Sequence, residues 1–426
     1  MFRSRQDHLP LFLQRGVRGD LRYNTPMSNR SEQKSLLIII SVFLFVVFGT
    51  YAITLIARGY RPSLQPGGVT LSATGLLSAT SQPKGASVFV NNALITATDD
   101  TINLSPGDYL IKIAKDGYFS WQKNIKIKKE TVFQTDAQLF RSSPDLKPIT
   151  QTGAINPIIS PDYTKIIYSV ASASASINNG LYLIEISPNL IYLTKNTPQQ
   201  IAPNFPGIDW SKATLTFSPN GQEVLANFKQ FNTNYLINLS SPIKNPPDVT
   251  AKLSIISKDW AEQEQLLVQQ KIDQLPKDVK AIVSTDSAQK ISFSPGDDKI
   301  LYEASTDTQL PDQIISPPPA QSTQNQSRTV NKGNYYVYDI KDDTNFYIGS
   351  SSSISLPFWL QNSNNLVYIE KQTVKAIDYD ASNQITLFTL NETPPIVSAW
   401  TDGNKMIVLT SAYAGAQPNL YAVTIR

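Results

Sequence analysis

One pattern recurs five times from residue 159 onward: an aromatic residue or isoleucine, a polar turn, a β-rich run and then a further strand. The copies begin at Ile159, Phe217, Phe293, Trp359 and Trp400. In three of them the turn reads Ser-Pro followed by Asp, Asn or Gly, where proline presets position i+1 of a type I turn and the next residue suits position i+2. Each copy is typical of one four-stranded blade, so the repeat predicts a β-propeller.

The repeat is similar to that of the TolB-type and tryptophan–aspartate-repeat propellers, whose blades open with the same turn. The resemblance implies a propeller over residues 141–426. Five blades are predicted directly, and a sixth, less regular blade closed by the segment Leu146–Thr150 is the alternative. Because propeller blades exist to close sheet edges, the repeat predicts architecture and not activity.

Two insertions interrupt the repeat. Residues 257–284 read as helical, because Asp259 and Glu262 fit a capping box and apolar residues follow at helical spacing as far as Pro276. Residues 306–332 are rich in Pro, Gln and Ser, and we expect a disordered loop there.

A second β-rich unit, residues 71–140, precedes the repeat. Every second residue is apolar in three short runs, which are Ala86/Val88/Val90, Tyr109/Ile111/Ile113 and Ile125/Ile127. This alternation predicts half-buried antiparallel strands. Ser105–Asp108 and the pair Asp116-Gly117 supply the turn residues between them.

Three linked motifs in this unit resemble the PEGA domain family. They are Ser81-x-Pro83-x-Gly85-Ala86-x-Val88-x-Val90-Asn91, Leu104-x-Pro106-Gly107-x-Tyr109 and Lys115-x-Gly117-Tyr118-x-x-Trp121. The resemblance implies a small β-sandwich on envelope or cell-surface proteins. Lys84 replaces the glutamate of the family name and Asn92 replaces a turn glycine, a position that asparagine tolerates.

Residues 35–57 are 23 residues without a charge. At about 1.5 Å per residue they span a hydrocarbon core of about 30 Å as a helix. A retained membrane anchor is therefore predicted, with a cleaved signal peptide or a buried core helix as alternatives. Met27 is a second candidate start, and residues 1–26 would then not belong to the protein.

The orientation follows from the basic residues near this segment. Arg15, Arg18, Arg22, Arg30 and Lys34 precede it, whereas Arg58 and Arg61 follow it. The positive-inside rule then keeps the basic tail 1–34, expected to be disordered, in the cytoplasm, and exports everything from the linker 58–70 onward.

Composition excludes several kinds of site. There is no cysteine, and the single histidine, His8, lies in the tail. Disulfides, thiol nucleophiles, histidine-dependent triads and Cys/His metal sites are therefore excluded. Residues 35–426 hold 30 Lys/Arg and 31 Asp/Glu, since 7 of 37 and 3 of 34 lie in the tail, so no nucleic-acid footprint is present.

Few residues are candidates for a site, and each has a structural explanation. Tyr118 and Trp121 form either a ligand-stacking pair or, as we favour, a cover for the sandwich core. A run of four lysines either faces anionic wall polymers or lipid or, as we favour, forms a solvated strand face. These lysines are Lys123, Lys126, Lys128 and Lys129. The turn aspartates are expected to cap local backbone; they are Asp162, Asp297, Asp298, Asp342, Asp343 and Asp402.

The sequence thus predicts a mainly β protein without catalytic, cofactor or metal residues. The favoured function is a membrane-anchored binding or scaffold protein that presents a propeller at the cell surface to an envelope protein or a cell-wall glycan. The alternatives are a glycan-processing enzyme with two carboxylates at the propeller mouth and an envelope sensor that signals through a partner.

Overall fold

The computed structural model describes residues 30–426 except 59, 66–67, 172, 174, 187–196, 285–286, 313, 315–322, 392–396, 401–402 and 414. Most of the expected tail 1–34, as well as Asp402, therefore lies outside the described residues. The chain divides into two compact units, Met1–Ala57 and Arg58–Arg426.

The described part of the first unit is one helix, α1, Arg30–Ala57. Its segment Leu36–Ala57 has 22 residues, a mean hydropathy of 2.7 and no buried residue. The hydroxyls of Thr50 and Thr54 donate to backbone carbonyls four residues earlier at 2.7 and 2.8 Å, so the helix satisfies them internally. A helix of this length and composition is a candidate membrane span.

A hairpin begins the second unit, where the sequence predicts a linker. Strand β1, Tyr60–Gln65, pairs antiparallel with β2, Gly68–Ala73. The Pro/Gly-rich composition that suggested a linker suits a hairpin connection equally well. Pro66 and Gly67, between the two strands, lie outside the described residues.

Nine strands build the small β-domain that follows: β3 Gly75–Ala79, β4 Ser81–Gln82, β5 Ser87–Val90, β6 Ala93–Ala97, β7 Asp100–Leu104, β8 Gly107–Ala114, β9 Trp121–Ile127, β10 Val132–Gln134 and β11 Ala137–Gln138. One sheet has the order β6-β5-β8-β9 and a second the order β10-β3-β7, with β11-β4 as a short parallel pair. Strand β10 also runs parallel to β3.

The predicted alternation places the core of this domain correctly. Val88, Ile111 and Ile125 of the first sheet pack against Leu77 and Ala79 of the second, and all are almost fully buried. The two sheets therefore form a β-sandwich. The substituted turn works as expected, because Asn91 and Asn92 both adopt positive φ, 49° and 68°, as a two-residue hairpin turn requires.

Each of the five sequence repeats forms one sheet. The first blade contains β13 Ile155–Ile159, β14 Lys165–Val170, β15 Gly180–Glu185 and β16 Gln199–Pro203, and the second contains β17 Thr214–Phe217, β18 Glu223–Phe228 and β19 Thr233–Asn238. The third contains β20 Ala288–Phe293, β21 Lys299–Ala304, β24 Asn334–Asp339 and β25 Thr344–Ser350, and the fourth contains β26 Ile354–Trp359, β27 Asn365–Glu370, β28 Thr373–Asp378 and β29 Ile385–Thr389. The fifth contains β30 Val397–Ala399, β31 Lys405–Thr410 and β32 Asn419–Thr424. We number these blades 1 to 5 in chain order.

The last blade is completed by the start of the propeller. Strand β12, Asp145–Pro148, pairs antiparallel with β32 as its outer strand. The backbone continues this pairing, since Ile149 N–H donates to Leu420 O at 2.7 Å. The Leu146–Thr150 segment therefore closes blade 5, and the alternative of a sixth blade is wrong within the described residues.

Apolar clusters join neighbouring blades. Blades 1 and 2, blades 3 and 4, blades 4 and 5, and blades 5 and 1 each share a buried cluster. Alternation along β21 shows how a blade serves two neighbours, because Leu301 packs toward blade 4 whereas Ile300 and Tyr302 pack on the opposite side. On that side blade 3 meets the helical insertion through Ile272 and Val279.

The insertion contains two helices, α2 Leu253–Asp273 and α3 Lys277–Ile282. The predicted start at the capping box is wrong, because a 3₁₀ turn, Thr250–Lys252, leads directly into α2. Asp259 instead lies inside the helix and accepts a hydrogen bond from Gln263 at 2.9 Å. The break before Pro276 is where the sequence places it.

The segment 306–332 is ordered at both ends, contrary to the expected loop. Strand β22, Thr308–Gln309, pairs with β23, Thr329–Val330. Arg328 reaches Asp343 at 3.0 Å in a pair that is 13% and 2% exposed. The polar composition wrongly indicated disorder, because this charge-assisted contact and a few apolar anchors are enough to fix the two ends of the segment. Residues 313 and 315–322 lie outside the described part.

Candidate functional site

The small β-domain is fixed to blade 4 by the first residues of β9. Trp121 Nε1–H donates to Asp378 Oδ2 at 2.8 Å. Two positions on, Lys123 Nζ lies 2.6 Å from Asp380 Oδ2, and the two side chains are 8% and 0% exposed. These contacts join residues more than 250 positions apart, and a buried ion pair of this kind fixes one geometry.

The turn that follows β28 provides the acceptors. Asp378 also accepts from Asn365 Nδ2 at 2.7 Å and from Asn383 Nδ2 at 2.9 Å. Asn383 in turn accepts from the backbone N–H of Gln122 at 2.9 Å. Three consecutive residues of β9 therefore bind one polar turn, and the carboxylate of Asp378 is surrounded by donors.

Tyr379 lies between two ammonium groups at this junction. Lys299 Nζ is 4.6 Å from the centre of its ring, and Lys123 Nζ is 5.6 Å from it. Lys299 also contacts Asp298 at 3.0 Å. The arrangement balances most of the buried charge by cation–π and ionic contacts.

A cleft of about 200 Å³ opens beside these contacts. One wall comes from the segment 132–136 with Trp121 and Lys123, and the other from blades 3 and 4. The residues that line it are Trp121, Lys123, Val132, Phe133, Gln134, Thr135, Asp136, Asp342, Asn364, Asn365, Asp378 and Tyr379. Amide, carboxylate, hydroxyl and aromatic groups therefore converge in one concave site.

Two carboxyl groups in the cleft have raised pKa values. Burial, reinforced by the neighbouring charge of Asp339, raises the pKa of Asp342 to about 6. Burial also raises the pKa of Asp378 to about 6, although Lys123 acts in the opposite direction. Such groups are poised to respond to a bound polar ligand near neutral pH.

A second cavity, about 530 Å³, lies across the propeller face that carries the Ser-Pro turns. Pro161 of blade 1, Pro295 of blade 3 and Gln361 of blade 4 line it together with Lys271 of α2. The cavity therefore brings α2 together with blades 1, 3 and 4. None of the described residues that line it is acidic.

The favoured interpretation of the aromatic pair agrees with the structure. Trp121 is 3% exposed and belongs to the sandwich core, and Tyr118 packs against that core. The lysine run divides, since Lys126, Lys128 and Lys129 are exposed as predicted.

Lys123 is the exception and a correction, because it lies in the buried row of β9. The sequence contains a signal for this: Lys123 occupies the same alternating row as Trp121, Ile125 and Ile127. A lysine in an apolar row requires a buried acid as its partner. The sequence analysis did not identify the buried role of Lys123, nor the roles of Asp378 and Asp380.

The Ser-Pro turns use their polar side chains locally. The hydroxyl of Ser160 donates to Asp162 at 2.6 Å, and that of Ser294 donates to Asp298 at 2.9 Å. Each serine oxygen also accepts a backbone N–H from the following strand, at 2.9 and 3.1 Å. Backbone capping by the aspartate is therefore confirmed at Asp162, which also accepts from Thr164 N–H at 3.1 Å. Asp298 accepts instead from the side chains of Ser294, Lys299 and Lys341.

The remaining turn aspartates behave differently. Asp297 pairs with Lys271 at 2.7 Å. Asp343 is 3% exposed and accepts from Tyr338 at 2.8 Å as well as from Arg328. Asp342 lines the cleft. Expecting only backbone caps at these three positions was therefore incomplete, because Asp297 and Asp343 bind side chains and Asp342 faces the cleft.

Metal binding finds no support in the described residues, where no three His, Cys, Asp or Glu side chains form a group suited to an ion.

These features define the class: a mostly β chain with one candidate membrane helix, a small sandwich and a five-bladed propeller. Residues 74–143 match the family model of the PEGA domain, so the small β-domain is a PEGA domain. No curated protein sequence matches the chain.

Two solved structures are similar to the chain at low identity. TolB from Acinetobacter baumannii is 12% identical over 74% of this chain and 60% of its own, with a TM-score of 0.21. The chain thus spans less than two thirds of TolB. An oligogalacturonate lyase from Vibrio parahaemolyticus is 9% identical over 74% of this chain and 86% of its own, with a TM-score of 0.24. At such TM-scores neither similarity indicates what this chain binds.

Proposed function

We propose that this chain is a membrane-anchored, extracytoplasmic binding protein whose PEGA domain and propeller act as one recognition unit. The observation that carries the proposal is the junction cleft, because both domains supply its walls. The buried contacts of Trp121 and Lys123 hold those walls in place. Helix α1 is then the anchor, and the basic residues of 1–34 keep that tail in the cytoplasm.

The chemistry of the cleft suits a polar, uncharged or weakly charged group. Gln134, Asn364 and Asn365 offer amide donors and acceptors, and Asp136 and Asp342 offer carboxylates. Sugar hydroxyls and polar peptide groups both match such a set. We therefore propose a cell-wall glycan or a polar segment of an envelope protein as the ligand.

A glycan-processing enzyme is the second candidate, and the raised pKa of Asp342 favours it. A general acid in glycoside hydrolysis needs a carboxyl group that stays protonated near neutral pH, together with a second carboxylate. Asp378 is poorly suited as that second group, because it is buried and accepts four hydrogen bonds. Binding without turnover is therefore the function that we propose.

The test is a binding screen of the full chain in nanodiscs against cell-wall fragments and glycans, with mass spectrometry of the supernatant. Asp342→Asn with Asn364→Ala should weaken binding at least ten-fold, because the first change replaces a charged acceptor by an amide and the second removes an amide from the cleft. Glu264→Gln, an exposed change on α2, is the matched control and should leave binding unchanged.

Binding that both variants retain equally would overturn the assignment of the cleft. Release of shortened glycans by the parent chain, abolished by Asp342→Asn, would replace the binding proposal with the enzyme.

A further inference from the structure

The turn between β9 and β10 is rigidly held. Gly75 packs against its backbone so closely that an added Cβ would lie 2.4 Å from Lys128 O. Thr131 Oγ1 donates to the same carbonyl at 3.0 Å, and Glu130 N–H donates to Thr74 O at 3.1 Å. The side chains of this turn therefore project from a fixed frame.

The turn is bound to the residues that directly follow the membrane helix. Tyr60 Oη–H donates to Glu130 Oε1 at 2.6 Å. The Arg58 guanidinium lies 3.9 Å from Glu130 Oε2. Since the apolar span ends at Ala57, the chain itself places Arg58 at the membrane surface.

Basic side chains surround this contact. Arg58 is 63% exposed, Lys128 and Lys129 are exposed, and Glu130 is their one acidic neighbour within the turn. We call Arg58, Lys128 and Lys129 the basic patch; against Glu130 its net charge is 3 − 1 = +2. Consecutive Cα atoms are about 3.8 Å apart, so the Cα atoms of both lysines lie within about 8 Å of that of Glu130, less than one Debye length, ~10 Å at 0.1 M salt.

We infer that the basic patch binds the anionic phospholipid headgroups of the leaflet in which α1 ends. The headgroups are the expected ligand because Arg58 directly follows the last residue of the apolar span and contacts Glu130 of the turn. Insertion of α1 therefore brings this patch to the headgroups without any further partner. Each lysine near an anionic surface contributes about a five-fold preference for the docked state. The inference goes beyond the proposed function and needs only that α1 spans a membrane, whatever the cleft binds.

The experiment uses the full chain in nanodiscs of phosphatidylcholine with or without phosphatidylglycerol. The chain has no native cysteine, so Asn103→Cys carries the attached fluorophore; Asn103 is exposed and pairs with Leu76, whose N–H donates to Thr131 O beside the turn. Headgroup-attached spin labels quench a fluorophore that lies at the surface. We expect stronger quenching with phosphatidylglycerol, lost at high salt.

Lys128→Gln with Lys129→Gln should lower the ratio of docked to undocked molecules by about 25-fold, from two five-fold steps. Lys229→Gln with Lys244→Gln, two exposed lysines of blade 2, is the control and should change nothing. Thermal unfolding of both variants verifies that they fold.

Equal quenching in the two lipid mixtures, or quenching that Lys128→Gln with Lys129→Gln leaves intact, would overturn the inference. Binding of a soluble wall polyanion is measured on the same proteins. If Lys128→Gln with Lys129→Gln loses that binding but keeps its lipid quenching, the inference is also overturned, because the patch then binds a polymer. Alkaline extraction reports insertion of α1 separately, so failure of the anchor is distinguishable from failure of the patch.

Discussion

Replacing Lys123 by methionine tests the junction between the PEGA domain and the propeller. Methionine retains most of the apolar stem, so the change removes mainly the ammonium group 2.6 Å from Asp380. Breaking a buried pair by removing one partner costs about 3–5 kcal/mol. Asp380 still accepts from Ser382 Oγ at 2.6 Å, so we expect the lower end, a loss of about 3 kcal/mol in the free energy of unfolding.

The double variant Lys123→Met with Asp380→Asn separates charge from packing. It removes both charges, so it should be clearly more stable than the single variant, with a coupling energy of about 2 kcal/mol. Urea unfolding of the full chain in detergent, followed by tryptophan fluorescence, measures the parent, the two single variants and the double variant. A single-variant loss below about 1 kcal/mol, or a double variant no better than the single, would refute the reasoning.

The penalty should also depend on pH. Lys123 lowers the pKa of Asp378, so without it that pKa rises further above its present value of about 6. An acid whose folded-state pKa is raised binds more protons when folded than when unfolded. Its folded form therefore gains stability as pH falls. The loss caused by Lys123→Met should shrink between about pH 7 and pH 5.

Three further outcomes are expected. Gly75→Ala should cost about 1–3 kcal/mol in thermal unfolding, because its Cβ meets backbone, whereas Gly107→Ala, in ordinary contact distance of its neighbours, should cost less than half of that. Asn92→Val should destabilise by at least about 1 kcal/mol and Asn92→Gly should not, since φ there is 68°; unfolding midpoints distinguish the two. Arg328→Ala leaves buried Asp343 without its cation, so limited proteolysis should cleave within 306–332 faster than in the parent chain, and an unchanged rate would contradict the ordered ends described here.

Local pattern predicted what local physics determines. The alternation at Val88 and Ile111 identified the buried faces of the sandwich, and the Ser-Pro turns located the blades. The apolar run that ends at Ala57 identified the candidate span. In each case the periodicity of side chains or the φ preference of a turn residue acts within a few positions of the chain.

Long-range pairing escaped prediction. The partner of Trp121 lies 257 residues away, and nothing near either residue specifies the other. For Leu146 the sequence predicts that its segment closes a blade, but it does not specify that the partner is β32 of blade 5. Asp259 and Glu262 show the reverse error, where a motif with the right spacing lies inside a helix that tertiary contacts start earlier.

The closing strand has a consequence for how the chain matures. Thr150 accepts its bond from Leu420, which lies 270 positions further along the chain, only after all of that segment has been made. Until then blade 5 lacks its outer strand, and β12 offers an open edge. Contacts of such sequence separation form slowly. The propeller whose last blade is still unclosed is therefore the form most in need of a chaperone, and the rate of synthesis as much as the sequence should decide how much of it reaches the native ring.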